Sequence, residues 1–355
     1  MNIAVQRLLN QLPLQPQNDS PLDIVQWMGA MQAQDYSMFQ WSIGVRMKKP
    51  DQASVIKALN DGTIIRMHLN RCTWQVVARQ DVYWMLSLFG EKNKRTVLAW
   101  AASGGKPLTP DMQQTSRKLL FEALSGGHTF TVKQLAPLYA EAGISDIGIV
   151  RHLLTLAETE GLLCSGQTSG NLHGYTLLKE RIPVSDPITK ERALARLALL
   201  YFQSHAPATL EDFVWWTGLT KSECRTGMSM IAKDLTEFKF GDSIYFSHRN
   251  HIPGRYIENK VIFLPAYDEL LLGYKNRTAV LNKEYENKAY NKFGIFYPVM
   301  LYGQQITGTW KRKTMTHELF CGIEPSAEIL QEAKERLSAF RKTATPPFSS
   351  KAPLT

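Results

Sequence analysis

The strongest constraint on the fold is a pattern that occurs twice in the middle of the chain, 78 residues apart. In each copy an apolar helical stretch is followed by a turn, a second helix that starts at a threonine, a third helix and two strand-like runs. Thr131–Leu135 of the first copy aligns with Thr209–Phe213 of the second, and both threonines are expected to cap a helix. This order predicts two winged-helix units, against the alternative of two unrelated helical pairs.

A looser copy of the same pattern precedes these two. One helix is expected within residues 2–12, and Ser20-Pro21-Leu22-Asp23 combines a capping serine, a proline at the first helical position and an acid in the first turn. Ala53–Leu59 predicts a further helix that ends at Asp61-Gly62, and residues 63–78 predict a strand pair. The first hundred residues therefore predict a third winged-helix unit.

The pattern changes after Ser247. Short β-like runs alternate with Gly, Pro and Asn, which predicts a small antiparallel barrel or sheet, followed by an amphipathic helix at residues 325–341. The predicted fold class is therefore α+β, with three tandem winged-helix units followed by a small antiparallel β-barrel. The predicted boundaries are 1–110, 111–185 and 186–250 for the units, 251–340 for the barrel and closing helix, and 341–355 for a disordered tail.

Composition narrows the setting of the protein. With 355 residues and 44% hydrophobic content the chain can build several modest cores, and it has neither an apolar run of about 18 residues for a membrane span nor a signal-peptide pattern. Its four cysteines form no CxxC pair, which indicates buried thiols in a reducing compartment rather than a zinc site or disulfides. We expect a cytoplasmic protein, associated with the nucleoid in a bacterium, without a metal or a cofactor.

The charge distribution favours a polyanionic partner. The formal net charge is +9, and residues 247–313 hold eleven Lys and Arg against five acids. The candidates for DNA contact lie on the first strand pair, in the polar turn after the third unit, and in the basic C-terminal third: Arg66, His68, Arg71, His248, Arg249, His251, Lys275, Arg277, Lys311, Arg312 and Lys313. An ordinary solvated surface is the alternative for these charges.

One short segment is a candidate site, Gln32-Ala33-Gln34 after the helix that starts near Ser20. Side chains two residues apart point to one side of an extended segment, so both carboxamides would face one pocket if the helix ends before them. Surface glutamines that cap the helix are the alternative, and Asp35 is either a base or a structural residue in an N-cap or a salt bridge. The sequence lacks the Walker A, dinucleotide-binding and HExxH motifs, which disfavours nucleotide hydrolysis, hydride transfer and zinc proteolysis.

Four stretches in order resemble the winged-helix DNA-binding family that includes the AlkZ and YcaQ DNA glycosylases. WMGAMQAQDY is similar to the signature of that family's first domain, and GTIIRMHLNRCTWQVV is similar to its Arg-rich wing. FLPAYDELLLGYKNR and ITGTWKRK are similar to two later stretches. The chain departs from the family's pattern at Cys72, where glycine is frequent, and at Ala33, which is smaller than the usual middle residue.

The resemblance implies three winged helices and a β-barrel around a DNA-binding channel, removal of alkylated purines, and unhooking of crosslinks in some members. It also implies that Gln32 and Gln34 form the catalytic pair. The chemistry is compatible with neutral amides, because a cationic N-alkylated purine is a good leaving group that needs no acid. A glutamine carbonyl oxygen can hold a water and direct a dipole at the positively charged sugar. The expected partner is damaged double-stranded DNA.

Two other functions fit the same sequence. A non-catalytic winged-helix regulator usually forms a dimer that reads two half-sites, whereas three units in one chain suit a monomer that wraps a single site. A protein-interaction scaffold would show no salt-sensitive DNA binding. The leading hypothesis is a DNA glycosylase for cationic alkylated bases, with Trp215-Trp216 interpreted as core rather than as a base-stacking surface.

Overall fold

The computed structural model describes residues 2–11, 19–167, 173–249, 259–320 and 322–343. Helices and strands are mixed along these ranges, which confirms the α+β class. The chain begins with α1 (Ile3–Asn10) and α2 (Pro21–Met28), and α2 is capped as predicted, because the Ser20 hydroxyl accepts the backbone N–H of Asp23. Within the described ranges, none of the helices combines the length and the apolar character that crossing a bilayer requires.

The first sheet contains three strands whose order in space differs from their order in the chain. Strand β1 (Met31–Gln32) is followed by α3 (Tyr36–Gly44), α4 (Gln52–Asn60), β2 (Ile64–His68) and β3 (Trp74–Ala78). Although two helices separate β1 from the other strands, β1 pairs with β3, so the order in the sheet is β1-β3-β2. The helix and the strand pair predicted for residues 53–78 are therefore confirmed.

The same arrangement recurs after a 22-residue helix, α5 (Val82–Ser103), that the sequence pattern did not predict. The elements are α6 (Pro110–Leu124), β4 (Phe130–Thr131), α7 (Val132–Glu141), α8 (Ile147–Thr159), β5 (Leu163–Ser165), β6 (Gly174–Leu177) and the short α9 (Leu178–Arg181). Again the first strand pairs with the last, in the order β4-β6-β5.

A third copy follows directly. Its elements are α10 (Lys190–His205), α11 (Leu210–Thr217), α12 (Lys221–Met230), β7 (Leu235–Phe240) and β8 (Ser243–His248). A single β-bridge from Ala208 to Phe246 of β8 replaces the first strand of the other copies. Thr131 and Thr209 cap the middle helices of the second and third copies, as predicted, and both do so in capping boxes.

The C-terminal strands form one sheet that is open in the described residues, so the predicted closed barrel is not confirmed. The elements are β9 (Val261–Leu264), α13 (Glu269–Leu272), α14 (Glu286–Ala289), β10 (Val299–Tyr302), β11 (Gln305–Trp310), β12 (His317–Leu319) and α15 (Ala327–Lys342). The order of the strands in the sheet is β12-β11-β10-β9, which leaves β9 and β12 as edges. Residues 341 and 342 are helical rather than part of a tail, and 344–355 lie outside the described residues.

The cores join elements that are distant in the sequence. The first copy and the C-terminal sheet share one core, in which Trp41 Nε1 donates to the Phe263 carbonyl at 2.6 Å and the Phe340 ring lies 5.1 Å from the Trp41 ring. Helix α5 contributes to both other cores, one with the second copy and one with the third. Cys72, Cys164 and Cys224 are buried thiols, as predicted, and Cys321 lies outside the described residues.

Candidate active site

Gln32 and Gln34 lie where the chain leaves α2 and becomes extended. Helix α2 ends at Met28, and Gly29 follows with a φ of +75°, a conformation that favours glycine. The next residues form β1, in which Gln32 pairs with Gln75 of β3. Both glutamine side chains line one cavity of about 650 Å³, in keeping with their extended spacing.

The buried carboxamide of Gln32 is held from inside the protein. Its Oε1 accepts hydrogen bonds from Gln75 Nε2 at 2.6 Å and from Thr73 Oγ1 at 3.1 Å. A carboxamide oxygen has two lone pairs, and these partners use both of them. In the described part of the chain no hydrogen bond occupies the side-chain N–H groups of Gln32, which remain for a ligand in the cavity.

Gln34 has a different environment, because its side chain is exposed at the same cavity. The next residue, Asp35, begins α3: its Oδ1 accepts the backbone N–H of Ser37 at 2.9 Å and of Met38 at 3.0 Å. The N-cap interpretation of Asp35 is therefore confirmed. The cap also fixes the point at which the extended glutamine segment ends.

The buried carboxylate of Glu269 holds the backbone of the glutamine segment. Glu269 Oε1 accepts the backbone N–H of Gln32 at 2.6 Å, while Glu269 Oε2 accepts Trp216 Nε1 at 3.1 Å and lies 3.4 Å from His205 Nε2. Burial lowers the pKa of His205, and the adjacent Glu269 only partly counteracts this effect. Glu269 thus joins the first copy, the third copy and the segment after β9 at one point.

Arg66 holds the segment from the opposite side. Its Nε donates to the carbonyl of Ala33, the residue between the two glutamines, at 2.9 Å, and its guanidinium lies 3.8 Å from the centre of the Trp74 ring. Burial lowers the pKa of Arg66 to about 10, so the side chain stays charged at neutral pH. Arg66 is therefore interior, whereas the sequence predicted a residue on a DNA-contacting wing.

His68 lines the cavity and is backed by a second buried carboxylate. Its Nδ1 lies 2.5 Å from Glu158 Oε2, and its ring lies 4.0 Å from the Trp74 ring. Burial raises the pKa of Glu158, although His68 and Arg66 oppose that shift. Because Glu158 belongs to α8, the second copy helps to orient a side chain of the first copy.

Aromatic rings and two arginines form another wall of the cavity. Half-exposed Trp215 donates its indole N–H to the Leu272 carbonyl at 3.1 Å, and Arg71 and Arg277 lie 5.6 and 5.2 Å from its ring centre. Burial lowers the pKa of both arginines, and the positive charge of Arg277 adds to the shift at Arg71. Since Trp216 is buried, the core interpretation holds for Trp216 but not for Trp215.

Comparison with known proteins identifies the family. A family model described as "DNA glycosylase AlkZ-like" matches residues 25–343. The chain belongs to this family. DNA glycosylases hydrolyse N-glycosyl bonds in DNA, so the glycosylase hypothesis is confirmed at this level and the non-catalytic regulator is not favoured.

A curated protein and a solved structure, both from Streptomyces sahachiroi, are similar to this AlkZ-like chain. A curated protein named "Interstrand DNA cross-link repair glycosylase" is 22% identical over 310 residues, which cover 82% of each chain. A solved structure, "Streptomyces sahachiroi DNA glycosylase AlkZ", is 20% identical and has a TM-score of 0.78, covering 98% of this chain and 99% of that one. The structural likeness shows that this chain and the solved AlkZ structure share a fold over nearly their full lengths.

The structure brings together five of the residues predicted as site residues of this AlkZ-like glycosylase and separates the others. Gln32, Gln34, His68, Arg71 and Arg277 line the cavity. The remaining candidates do not line it: His248 is buried at the end of β8, whereas Arg249, Lys275, Lys311, Arg312 and Lys313 are exposed. Arg312 donates to the Ser37 hydroxyl, and His251 lies outside the described residues.

Sequence reasoning missed four residues that hold the glutamine segment or its neighbours. Gln75 and Thr73 had a partial signal, since both belong to the predicted strand pair, in which Gln75 lies opposite Met67. Glu269 follows Asp268, whose carboxylate forms a buried two-pronged ion pair with Arg46 at 2.8 and 3.0 Å. Glu158 had no local signal, because it reaches His68 from a helix 90 residues away.

Proposed function

We propose that this AlkZ-like DNA glycosylase removes cationic alkylated purines from DNA and also unhooks interstrand crosslinks formed through such bases. The observation that carries the proposal is the convergence of two neutral carboxamides, Gln32 and Gln34, on one cavity. Its volume of about 650 Å³ lies within the range typical of small-ligand sites. The name of the Streptomyces sahachiroi relative supports the extension to crosslinks.

A cationic base determines what the site must supply. Because the leaving base is already positively charged, protonation by a carboxylic acid is not needed, and the remaining tasks are to place a water and to stabilise charge on the sugar. The exposed Gln34 offers a carbonyl oxygen that can accept a hydrogen bond from that water. A well-aimed dipole in a preorganised site contributes about 2.7–4 kcal/mol.

Gln32 has a different role in this proposal. Both lone pairs of its oxygen are used by Thr73 and Gln75, so the carboxamide acts through its N–H groups, which donate to an acceptor on the departing base or its nucleotide. Arg66 and Glu269 are positioning residues, since they fix the Ala33 carbonyl and the Gln32 N–H. The pair thus divides into one donor and one acceptor.

The proposed scaffold consists of three winged helices. The support comes from the strand pairing. In the first two copies the strand before the middle helix pairs with the last strand, β1 with β3 and β4 with β6, and in the third copy the Ala208–Phe246 bridge takes the place of this pairing. We propose that these units are residues 1–110, 111–185 and 186–250, and that a monomer binds damaged duplex DNA. Arg71 and Arg277 at the cavity, with exposed Lys275, Lys311, Arg312 and Lys313, are the proposed DNA contacts, and a bacterial enzyme would act at the nucleoid.

The test is base excision by the wild type and by Gln32→Ala and Gln34→Ala. Duplexes carrying 7-methylguanine, an N7-linked interstrand crosslink or uracil are incubated with excess enzyme, and DNA affinity is measured in parallel. We expect the wild type to release the cationic bases and to leave uracil, and both variants to lose excision while they retain affinity. Gln331→Ala on exposed α15 is the matched control. Equal excision of uracil and 7-methylguanine, or full activity of both variants, would refute the mechanism.

A further inference from the structure

Hydrolysis of a cationic base releases a proton that the two glutamines of the site cannot accept. When the C1′–N9 bond breaks, its electron pair neutralises the positive ring, so the base leaves without taking up a proton. The oxygen of water forms the new bond to C1′, and one proton of that water must pass to an acceptor. An amide is not a base at neutral pH, so Gln32 and Gln34 can orient the water but cannot deprotonate it.

Among the described residues of the cavity wall, one side chain can take up that proton. None of them is a carboxylate, and Asp35, beside the glutamines in the sequence, is used to cap α3. Burial raises the pKa of Cys72 to about 12 and also raises the pKa of Tyr267 and Tyr290, so these groups stay protonated at neutral pH. The lining Lys and Arg side chains already carry their protons. His68 remains, since imidazole is the side chain that exchanges a proton near neutral pH.

The His68 ring is held with one nitrogen inside the protein and the other at the cavity. Nδ1 lies 2.5 Å from Oε2 of the fully buried Glu158. Nε2 has no hydrogen-bond partner among the described residues, yet it is not one of their fully enclosed unpartnered atoms, so it is open to the cavity. Because Nδ1 donates to the carboxylate, the neutral ring keeps its proton there and presents the lone pair of Nε2. The Trp74 ring, with its centre 4.0 Å away, fixes the plane of the imidazole.

The groups packed around His68 favour a ring that is neutral before the reaction and stabilised when charged. Burial raises the pKa of Glu158, and the positive charge of Arg66 on the same strand as His68 counteracts that rise. His173, which precedes β6, has a pKa well below its ordinary value, because burial and then the charges of Arg66 and His68 disfavour its protonated form. Burial also raises the pKa of Tyr175. The neighbours therefore supply one carboxylate to His68 and no competing proton acceptor.

We propose that His68 accepts the proton of the attacking water at Nε2, and that Glu158 stabilises the imidazolium that forms. One hydrogen of the water is donated to the carbonyl oxygen of Gln34, and the other passes to His68 as the water oxygen bonds to C1′. The imidazolium then loses its proton from Nε2 to solvent. A histidine whose second nitrogen is held by a buried carboxylate is an established arrangement for such a base. The inference rests on the proposed function, since it needs a water placed by Gln34.

The first test is the pH dependence of single-turnover excision of 7-methylguanine from duplex DNA. The wild-type rate should rise between about pH 5.5 and 8, as Nε2 becomes available. His68→Gln cannot take up a proton, so it should lose this rise and be slower by about 10²-fold at pH 8. If His68 acted only through a positive charge that repels the substrate, His68→Gln would match the wild type at pH 8 and exceed it at pH 5.5, which overturns the proposal. The control is His128→Gln, at an exposed position away from the cavity.

A second measurement separates proton transfer from packing. His68→Ala leaves space beside Glu158, so added imidazole should restore part of the excision, in proportion to its neutral form. N-methylimidazole, which has no N–H to donate to Glu158, should restore less. Lost excision in His68→Ala without rescue, or rescue that does not depend on neutral imidazole, overturns the proton-acceptor role alone. A wild type that releases no cationic base overturns the proposed function and this role together, so the two failures are distinguishable.

Discussion

The hydrogen bond from Gln75 to Gln32 allows a quantitative test of how the site is preorganised. Gln75 Nε2 lies 2.6 Å from Gln32 Oε1 and 3.0 Å from Thr73 Oγ1, and all three side chains are shielded from solvent to a large degree. Gln75→Met removes both bonds with little change in volume. A buried group that loses its partner costs about 1–3 kcal/mol, so we expect the free energy of unfolding to fall by about that amount.

The effect on catalysis should exceed the effect on binding. Without Gln75 the Gln32 carboxamide keeps only the hydrogen bond from Thr73 and can rotate about it, and displacement of a catalytic group by about 1 Å can cost about 10²-fold in rate. Single-turnover excision of 7-methylguanine with saturating enzyme isolates this step, while urea unfolding and a DNA titration monitor stability and affinity. Gln331→Met, at an exposed position of α15, provides the matched control.

A second substitution at the same position separates the two faces of the Gln32 carboxamide. Gln75→Glu places an acceptor where a donor stood, which favours a Gln32 rotated so that its N–H groups turn inwards and its oxygen faces the cavity. If Gln32 works as a donor, this variant should be slower than Gln75→Met. A Gln75→Glu enzyme as fast as the wild type would refute the donor role, and an unchanged rate in Gln75→Met would refute the positioning argument.

Two further predictions concern charge. Burial lowers the pKa of His205 below its ordinary value of 6.5, so below that pH the unfolded chain binds a proton that the folded protein does not. The free energy of unfolding should therefore fall on acidification, by up to about 1.4 kcal/mol per pH unit from this group. Urea unfolding at pH 7.5 and 5.5 measures this loss of stability, which should be smaller in His205→Gln than in the wild type. An equal loss in both proteins would contradict this assignment. Lys311→Ala and Lys313→Ala should each reduce the steepness of log binding constant against log salt concentration by about 0.9 on duplex DNA. The control is Lys118→Ala on α6, which should leave the slope unchanged. Unchanged slopes in the first two variants would show that Lys311 and Lys313 do not contact DNA.

The sequence predicted those parts of the fold that depend on local signals. The Ser20, Thr131 and Thr209 caps and the strand pair at residues 63–78 follow from short-range hydrogen bonding and alternation. Helix α5 was missed because polar residues in its middle, in the stretch GEKNKRT, interrupt the apolar periodicity. The predicted barrel is not confirmed, and strand signals could not decide it, since they carry no information about which edges pair.

The site was predictable in position but not in environment. The spacing of Gln32 and Gln34 predicted a shared pocket, and the cavity contains both. Arg66 and His68 were interpreted as surface contacts because charged and polar types are usually exposed. They are buried because Trp74 covers them within the strand pair and because Ala33 and Glu158, 33 and 90 positions away, provide hydrogen-bond partners that the local sequence does not reveal.

The bond between the Gln32 backbone and Glu269 also bears on biosynthesis. The two residues are 237 positions apart, so at about 5–20 residues per second a ribosome adds the carboxylate some 10–50 s after the glutamine. During that interval the nascent chain holds its glutamines without the support that aligns them. We therefore expect the polypeptide to gain glycosidic activity only late in translation, so that an incomplete chain does not act on DNA.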